Sequence, residues 1–213
     1  MPLSMYLPSL MTVFGASFIA FMSPGPNFVG IVSSAVQNRF NGIIVAIGVS
    51  LGTTFWAVMA VTGITTVITR YPGAALIMQI VGGCYLTWLG IKSLRSTLKP
   101  RSAFVTSVSG VETPFRSFTK GLLIQITNPK TAMFWLSMVS VVILPDTPII
   151  IGVLLVVGTT AIALAWHLLL AVAFSFGRTR DVYLKARIYI SIVFGIAFIA
   201  LGLRLLLWNV IAV

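Results

Sequence analysis

The chain has 213 residues, of which 58% are hydrophobic and only 8% charged, against roughly 25% charged in ordinary soluble domains. That balance excludes a water-soluble fold, and six long apolar stretches leave no room for a sizeable soluble domain beside them. The net charge of +11 does not point to nucleic acid, because the Lys and Arg residues gather between apolar runs rather than along an aromatic-studded groove.

In chain order, the residues before position 14 are apolar but interrupted by Pro2 and Pro8, and either lead into the first span or lie at the interface. The first basic residue is Arg39, so a cleavable signal peptide is not expected and the first apolar stretch should be retained. Spans are predicted near 14–37, 42–67, 73–95, 118–144, 149–175 and 188–208. About ten residues into the first lies Ser23-Pro24-Gly25-Pro26-Asn27, close to the midplane at 1.5 Å per residue. The second carries Gly48-x-x-x-Gly52, which lets helices approach closely. It packs spans within the fold or joins two copies of the chain, so a homodimer is a candidate assembly. In the third, the lone Cys84 is read as core and allows no intramolecular disulfide or cysteine-only metal site.

A basic loop over about 96–117 separates the third span from the fourth and serves orientation and contact with anionic membrane lipid. The fourth span holds Gln125 one turn before Thr127-Asn128-Pro129-Lys130, again about ten residues in. The fifth carries Trp166 and His167. His167 is a candidate proton carrier, since imidazole titrates near neutral pH, although a buried, hydrogen-bonded histidine is the plainer reading. Glu112, Asp146 and Asp181, the three acids, are placed in loops.

Proline removes a backbone donor and clashes with the preceding turn, and glycine adds freedom, so the first and fourth helices should break at Pro24-Gly25-Pro26 and at Asn128-Pro129. Prolines that merely kink packed helices are the plainer alternative. Freed backbone groups inside a membrane must be buried in protein or line a wet cavity. Two breaks at similar depth therefore predict a central polar site. The half-helix after each break would present N–H groups and a positive dipole end, which suit a carboxylate. Lys130 stands alone near the bilayer centre, where a charge costs about 2.5–3.5 kcal/mol on insertion scales. It is neutral, hydrated, paired with carbonyls or waiting for a substrate carboxylate, and the last is preferred. Gln125 faces the cavity or bonds a neighbouring helix.

The charges also orient the chain, because short loops rich in Lys and Arg stay in the cytoplasm. With both termini outside, Arg39, Lys92, Arg95, Lys99, Arg101, Arg116, Lys120, Arg178, Arg180, Lys185 and Arg187 fall on the cytoplasmic side, and Arg70 alone falls in an outer loop.

Three pairs of segments recur in order. Gly25-Pro26-Asn27 matches Asn128-Pro129-Lys130 at an offset of 103, and Gly52-Thr53-Thr54 matches Gly158-Thr159-Thr160 at 106. Gly83, Gly90 and Lys92 match Gly195, Gly202 and Arg204 at 112. Three spans per half is an odd number, so the second half begins on the opposite face of the membrane. The expected architecture is an all-α membrane protein of six transmembrane helices in one domain, built as two inverted three-helix repeats over about 14–95 and 118–208, with helices 1 and 4 broken. Substrate contacts are expected from Pro24, Gly25, Pro26, Asn27, Gln125, Asn128, Pro129 and Lys130.

Ser23-Pro24-Gly25-Pro26-Asn27, Tyr85-Leu86-Thr87-Trp88-Leu89-Gly90, Lys120-Gly121-Leu122-Leu123 and Asn128-Pro129-Lys130 resemble the LysE/RhtB family of amino-acid exporters over about residues 14–207. Leu164-Ala165-Trp166 is similar to the threonine and homoserine branch. The resemblance implies proton-driven efflux of a small amino acid or derivative across a bacterial inner membrane, with no cofactor or metal. Two positions depart from it. Family members often carry Asp where this chain has Asn27, and some carry an acid within the stretch that here reads Thr159-Thr160-Ala161-Ile162-Ala163. An enzyme is not expected, since it would need a nucleophile with a base or a metal set, and the spans offer one His, no carboxylate and no ligand cluster. The alternative to a carrier is a passive channel or facilitator.

Overall fold

The computed structural model describes residues 3–64, 71, 73–97, 112–142 and 147–211. Arg70, Lys99, Arg101, Asp146 and most of the basic loop lie outside them. Among the described residues the chain is helical throughout. A 3-10 turn, Leu3–Tyr6, leads into α1 (Leu7–Met22), followed by α2 (Pro26–Gln37), α3 (Arg39–Met59), α4 (Ala74–Ser96), α5 (Pro114–Ile126), α6 (Pro129–Val142), α7 (Ile149–Phe174) and α8 (Gly177–Ile211). A π-helical turn, Ala60–Ile64, follows α3.

Helix starts follow from local chemistry. Asn38 caps α3 by accepting a hydrogen bond from the Asn41 amide at 3.1 Å, and Thr113 caps α5 by accepting from the Arg116 amide at 3.3 Å, just before Pro114 in the first turn. Both are side chains that favour the N-cap. α1 begins at Leu7 rather than near 14, because Pro8 sits in the first turn, where its missing N–H costs nothing.

Arg39–Gly63, Ile149–Phe174 and Ile188–Leu207 are each long and apolar enough to cross a membrane. α1 and α2, bent by 52° at their break, pass the same test of length and composition when taken together, as a broken span or a re-entrant loop does. The surroundings agree: Val157 is 60% exposed, Leu169 59% and Val193 63%. Such an apolar exterior is a liability in water and suits lipid. Two expectations are corrected here. Cys84 is exposed rather than core, because lipid accepts a thiol as readily as a protein interior does. Asp181 lies on α8 rather than in a loop: the last helix starts at Gly177, so its polar first turns belong to the helix.

Glycines let the helices touch. A Cβ on Gly48 would stand 2.3 Å from the Phe118 carbonyl oxygen, and one on Gly121 2.2 Å from that of Val45, so α3 and α5 cross backbone to backbone. The Gly48 and Gly52 pair thus packs within the chain. α4 and α8 run antiparallel, with Gly83 against the Gly202 carbonyl and Gly90 against that of Gly195. α3 and α7 are joined by Thr54 and Thr160, whose Oγ1 atoms lie 2.9 Å apart.

Candidate functional site

The two breaks meet. α1 stops at Met22 and α2 starts at Pro26, while α5 stops at Ile126 and α6 starts at Pro129. Ala20, Phe21, Ser23, Gly25 and Asn27 from the first break and Gln125, Asn128, Lys130, Thr131 and Phe134 from the second line one cavity of about 20 Å³. That is room for water rather than for an amino acid.

Gln125, 1% exposed, is the hub of the site. Its Oε1 accepts from Asn27 Nδ2 and from Thr131 Oγ1 at 3.2 Å, and its Nε2 donates to Thr53 Oγ1 at 2.7 Å. Its backbone carbonyl accepts from Trp56 Nε1 at 3.2 Å. Gly52 makes this possible, since a Cβ there would lie 2.7 Å from that of Gln125. One side chain so ties α2, α3 and α6 together. Asn128 Nδ2 donates to Asn27 Oδ1 at 3.2 Å, linking the breaks directly.

The two half-helix starts differ. Asn128 Oδ1 accepts from the Lys130 amide at 3.0 Å, so the N-terminal end of α6 is already capped. α2 begins after Gly25, which supplies no side-chain cap. Its positive dipole end has no side-chain acceptor of that kind. Lys130 Nζ lies beside it, 3.8 Å from where a Gly25 Cβ would stand. The ammonium donates to the carbonyls of Ala20 at 3.2 Å and Ser23 at 3.5 Å and faces the Phe198 ring, 5.5 Å from its centroid. Lys130 is therefore paired with carbonyls. Among the described residues no carboxylate lines the cavity.

This combination of two proline breaks, a buried glutamine between them and a lysine on helix-end carbonyls reaches from one half of the chain into the other, and the likeness to known proteins covers most of the chain. Residues 10–208 match the LysE type translocator family. The chain belongs to that family. It is 30% identical to the uncharacterized membrane protein YahN of Escherichia coli (strain K12), over 90% of this chain and 86% of that one. It is 29% identical to the threonine efflux protein of Salmonella typhi, over 92% and 96%. It is 35% identical to the leucine efflux protein of Salmonella choleraesuis over 58% and 57%. No solved structure matches.

Of the residues expected at the site, Gly25, Asn27, Gln125, Asn128 and Lys130 line the cavity. Pro24, Pro26 and Pro129 are not among its lining residues and act by breaking the helices. His167, 1% exposed, stands one layer back: its ring lies 5.6 Å from that of Phe21, which does line the cavity. Its Nδ1 is 3.0 Å from Ser50 Oγ, and Nε2 is buried with no partner. Ser50 Oγ also lies 2.8 Å from the Ala46 carbonyl, to which it can donate; with that bond made, Nδ1 carries the ring proton and Nε2 is an acceptor.

Sequence reasoning missed Ala20, Phe21, Ser23, Thr131, Phe134 and Phe198. Helical spacing could have found some of them: Phe134 is four residues after Lys130, and Ala20 precedes Ser23 by three. Phe198 gives no such signal.

Proposed function

We propose that the chain exports small amino acids or close derivatives from the bacterial cytoplasm as a secondary carrier. One observation carries this reading. At the first break the carbonyl end of α1 and the uncapped N-terminal end of α2 stand side by side, with the Lys130 ammonium between them. These ends carry about half a charge each, of opposite sign, and suit a solute whose carboxylate and ammonium are attached to the same carbon. The carboxylate is assigned to Lys130 and the first turn of α2, and Asn27 and Asn128 read the polar remainder. The threonine and leucine efflux relatives support the same substrate class.

The six-span reading adds α4 and the broken pair α5 and α6 to the four apolar spans, in two inverted halves with both termini outside. Contacts support it. Thr54 bonds Thr160, its counterpart at the offset of 106. Gly83 with Gly202 becomes Gly90 with Gly195 on exchanging residues 112 apart, and Asn27 with Asn128 becomes Lys130 with Gly25 at the offset of 103. Two such halves can rock about a fixed midplane site and expose it alternately. Proton exchange is assigned to His167 through Nε2.

A cavity of about 20 Å³ does not favour an open pore. Catalysis is not favoured either, since the Ser50 and His167 pair is not part of the cavity lining. The test exposes expressing and non-expressing cells to a panel of amino acids and dipeptides. Expression should relieve growth inhibition and lower the intracellular pool for a small neutral amino acid. Unchanged growth and pools across the whole panel would overturn the reading.

A further inference from the structure

The carbonyls that end a helix have no partner within it and need donors from elsewhere. At the end of α1, Ile19 O accepts from the Ser23 amide at 3.1 Å and Phe21 O accepts from Trp166 Nε1 at 3.2 Å. Ala20 O and Ser23 O are served by Lys130 Nζ. Two carbonyls at the negative end of a helix, with the face of Phe198 beside them, make a built site for a primary ammonium. Its present occupant comes from α6, in the other half of the chain.

We propose that this is the binding site for the α-ammonium group of the substrate, and that Lys130 fills it as a tethered stand-in whenever substrate is absent. The proposal rests on the amino-acid reading above and deepens it. An arriving zwitterion places its own ammonium on Ala20 O and Ser23 O. Lys130 Nζ is released toward the substrate carboxylate at the start of α2, next to Gly25, which it already approaches. The carbonyls stay satisfied throughout, so the exchange avoids the cost of baring buried acceptors. One cation rests on them before and after. This accounts for a lysine deep in the membrane domain with no acidic partner among the described residues lining the cavity: its partner is a helix end that substrate borrows. The exchange also links binding to movement, because leaving the carbonyls unfastens α6 from α1.

The test follows thermal unfolding of the purified protein with ethylammonium chloride as probe, against sodium chloride at equal ionic strength. Lys130→Ala opens the site, and ethylammonium should raise its unfolding midpoint progressively with concentration, by mass action. Wild type keeps the site filled with its own ammonium and should shift no more than in sodium chloride. An equal response of Lys130→Ala and wild type overturns the proposal.

The wild-type chain gives a reading that does not depend on a variant folding. Threonine and leucine carry both charges and at least one should raise the midpoint, whereas its N-acetyl derivative, with the carboxylate alone, should not. Equal shifts by an amino acid and its N-acetyl derivative overturn the ammonium site. Silence toward every amino acid, with the ethylammonium response of Lys130→Ala intact, overturns the amino-acid reading and leaves the cation site standing.

Discussion

Thr54 and Thr160 share a hydrogen bond, 2.9 Å between their Oγ1 atoms and 106 residues apart in the chain. The separation equals the offset that relates Gly52-Thr53-Thr54 to Gly158-Thr159-Thr160. A residue bonded to its own counterpart lies on the axis that would exchange two halves. Thr54→Val and Thr160→Val should each destabilise the protein by about 1 kcal/mol, the net worth of a buried hydrogen bond. The double variant should cost clearly less than their sum, with a coupling of about 0.5–1.5 kcal/mol in a double-mutant cycle of reversible unfolding. Additive effects would contradict the pairing.

The close approach of α4 and α8 predicts a second contrast. A Cβ on Gly90 would lie 2.5 Å from the Gly195 carbonyl, and one on Gly202 2.6 Å from that of Gly83. Gly90→Ala and Gly202→Ala should each lose about 1–3 kcal/mol, as overpacked sites do. Gly15→Ala meets nothing within 4 Å on the interior of α1 and should be neutral or gain up to about 1 kcal/mol. Unfolding midpoints of the three variants check the order.

Gln125→Leu keeps much of the side-chain volume and removes every side-chain hydrogen bond of the hub. Asn27 Nδ2, Thr131 Oγ1 and Thr53 Oγ1 all lose a partner. Each orphaned group costs about 1–3 kcal/mol. The variant should unfold at a clearly lower temperature and transport poorly, because Asn27 loses its anchor to Gln125 and keeps only the bond from Asn128. A midpoint equal to wild type would show that the hub is not what joins the two breaks.

Much of this was legible in the residues themselves. Pro24-Gly25-Pro26 and Asn128-Pro129 announce broken helices because proline cannot donate, and the breaks lie where expected. Lys130 announced itself by being a charge without an acid nearby. What stayed hidden depends on neighbours far along the chain. Nothing around Ser23 says that its carbonyl, rather than a carboxylate, will hold Lys130. Nothing around Phe198 says that its face will cover the ammonium. The capping of α6 by Asn128 was equally invisible, and it makes the two half-helix starts unequal. The early turns of α8 read as a loop in the sequence because hydropathy registers polarity and not helicity. Cys84 reads as core in the sequence because its apolar helix gives no sign of which side meets lipid.

The bare Nε2 of His167 predicts a kinetic split. His167→Gln keeps a hydrogen-bonding side chain beside Ser50 and removes the titrating ring. In vesicles it should still exchange amino acid for amino acid at equal pH on both sides. An imposed pH difference should accelerate exchange by the wild-type protein and not by the variant. Acceleration equal to wild type would take His167 out of the proton path.

The central claim is that Lys130, at the meeting of the two breaks, binds the carboxylate of an amino acid. Counterflow by the purified protein in lipid vesicles tests it most directly, with Lys130→Ala measured beside wild type and at raised solute concentration. A charge-assisted hydrogen bond is worth about 1.5–3 kcal/mol, so the variant should bind its amino acid about 10- to 150-fold more weakly. Saturable counterflow with the affinity of wild type, in a variant without the lysine, would contradict the account.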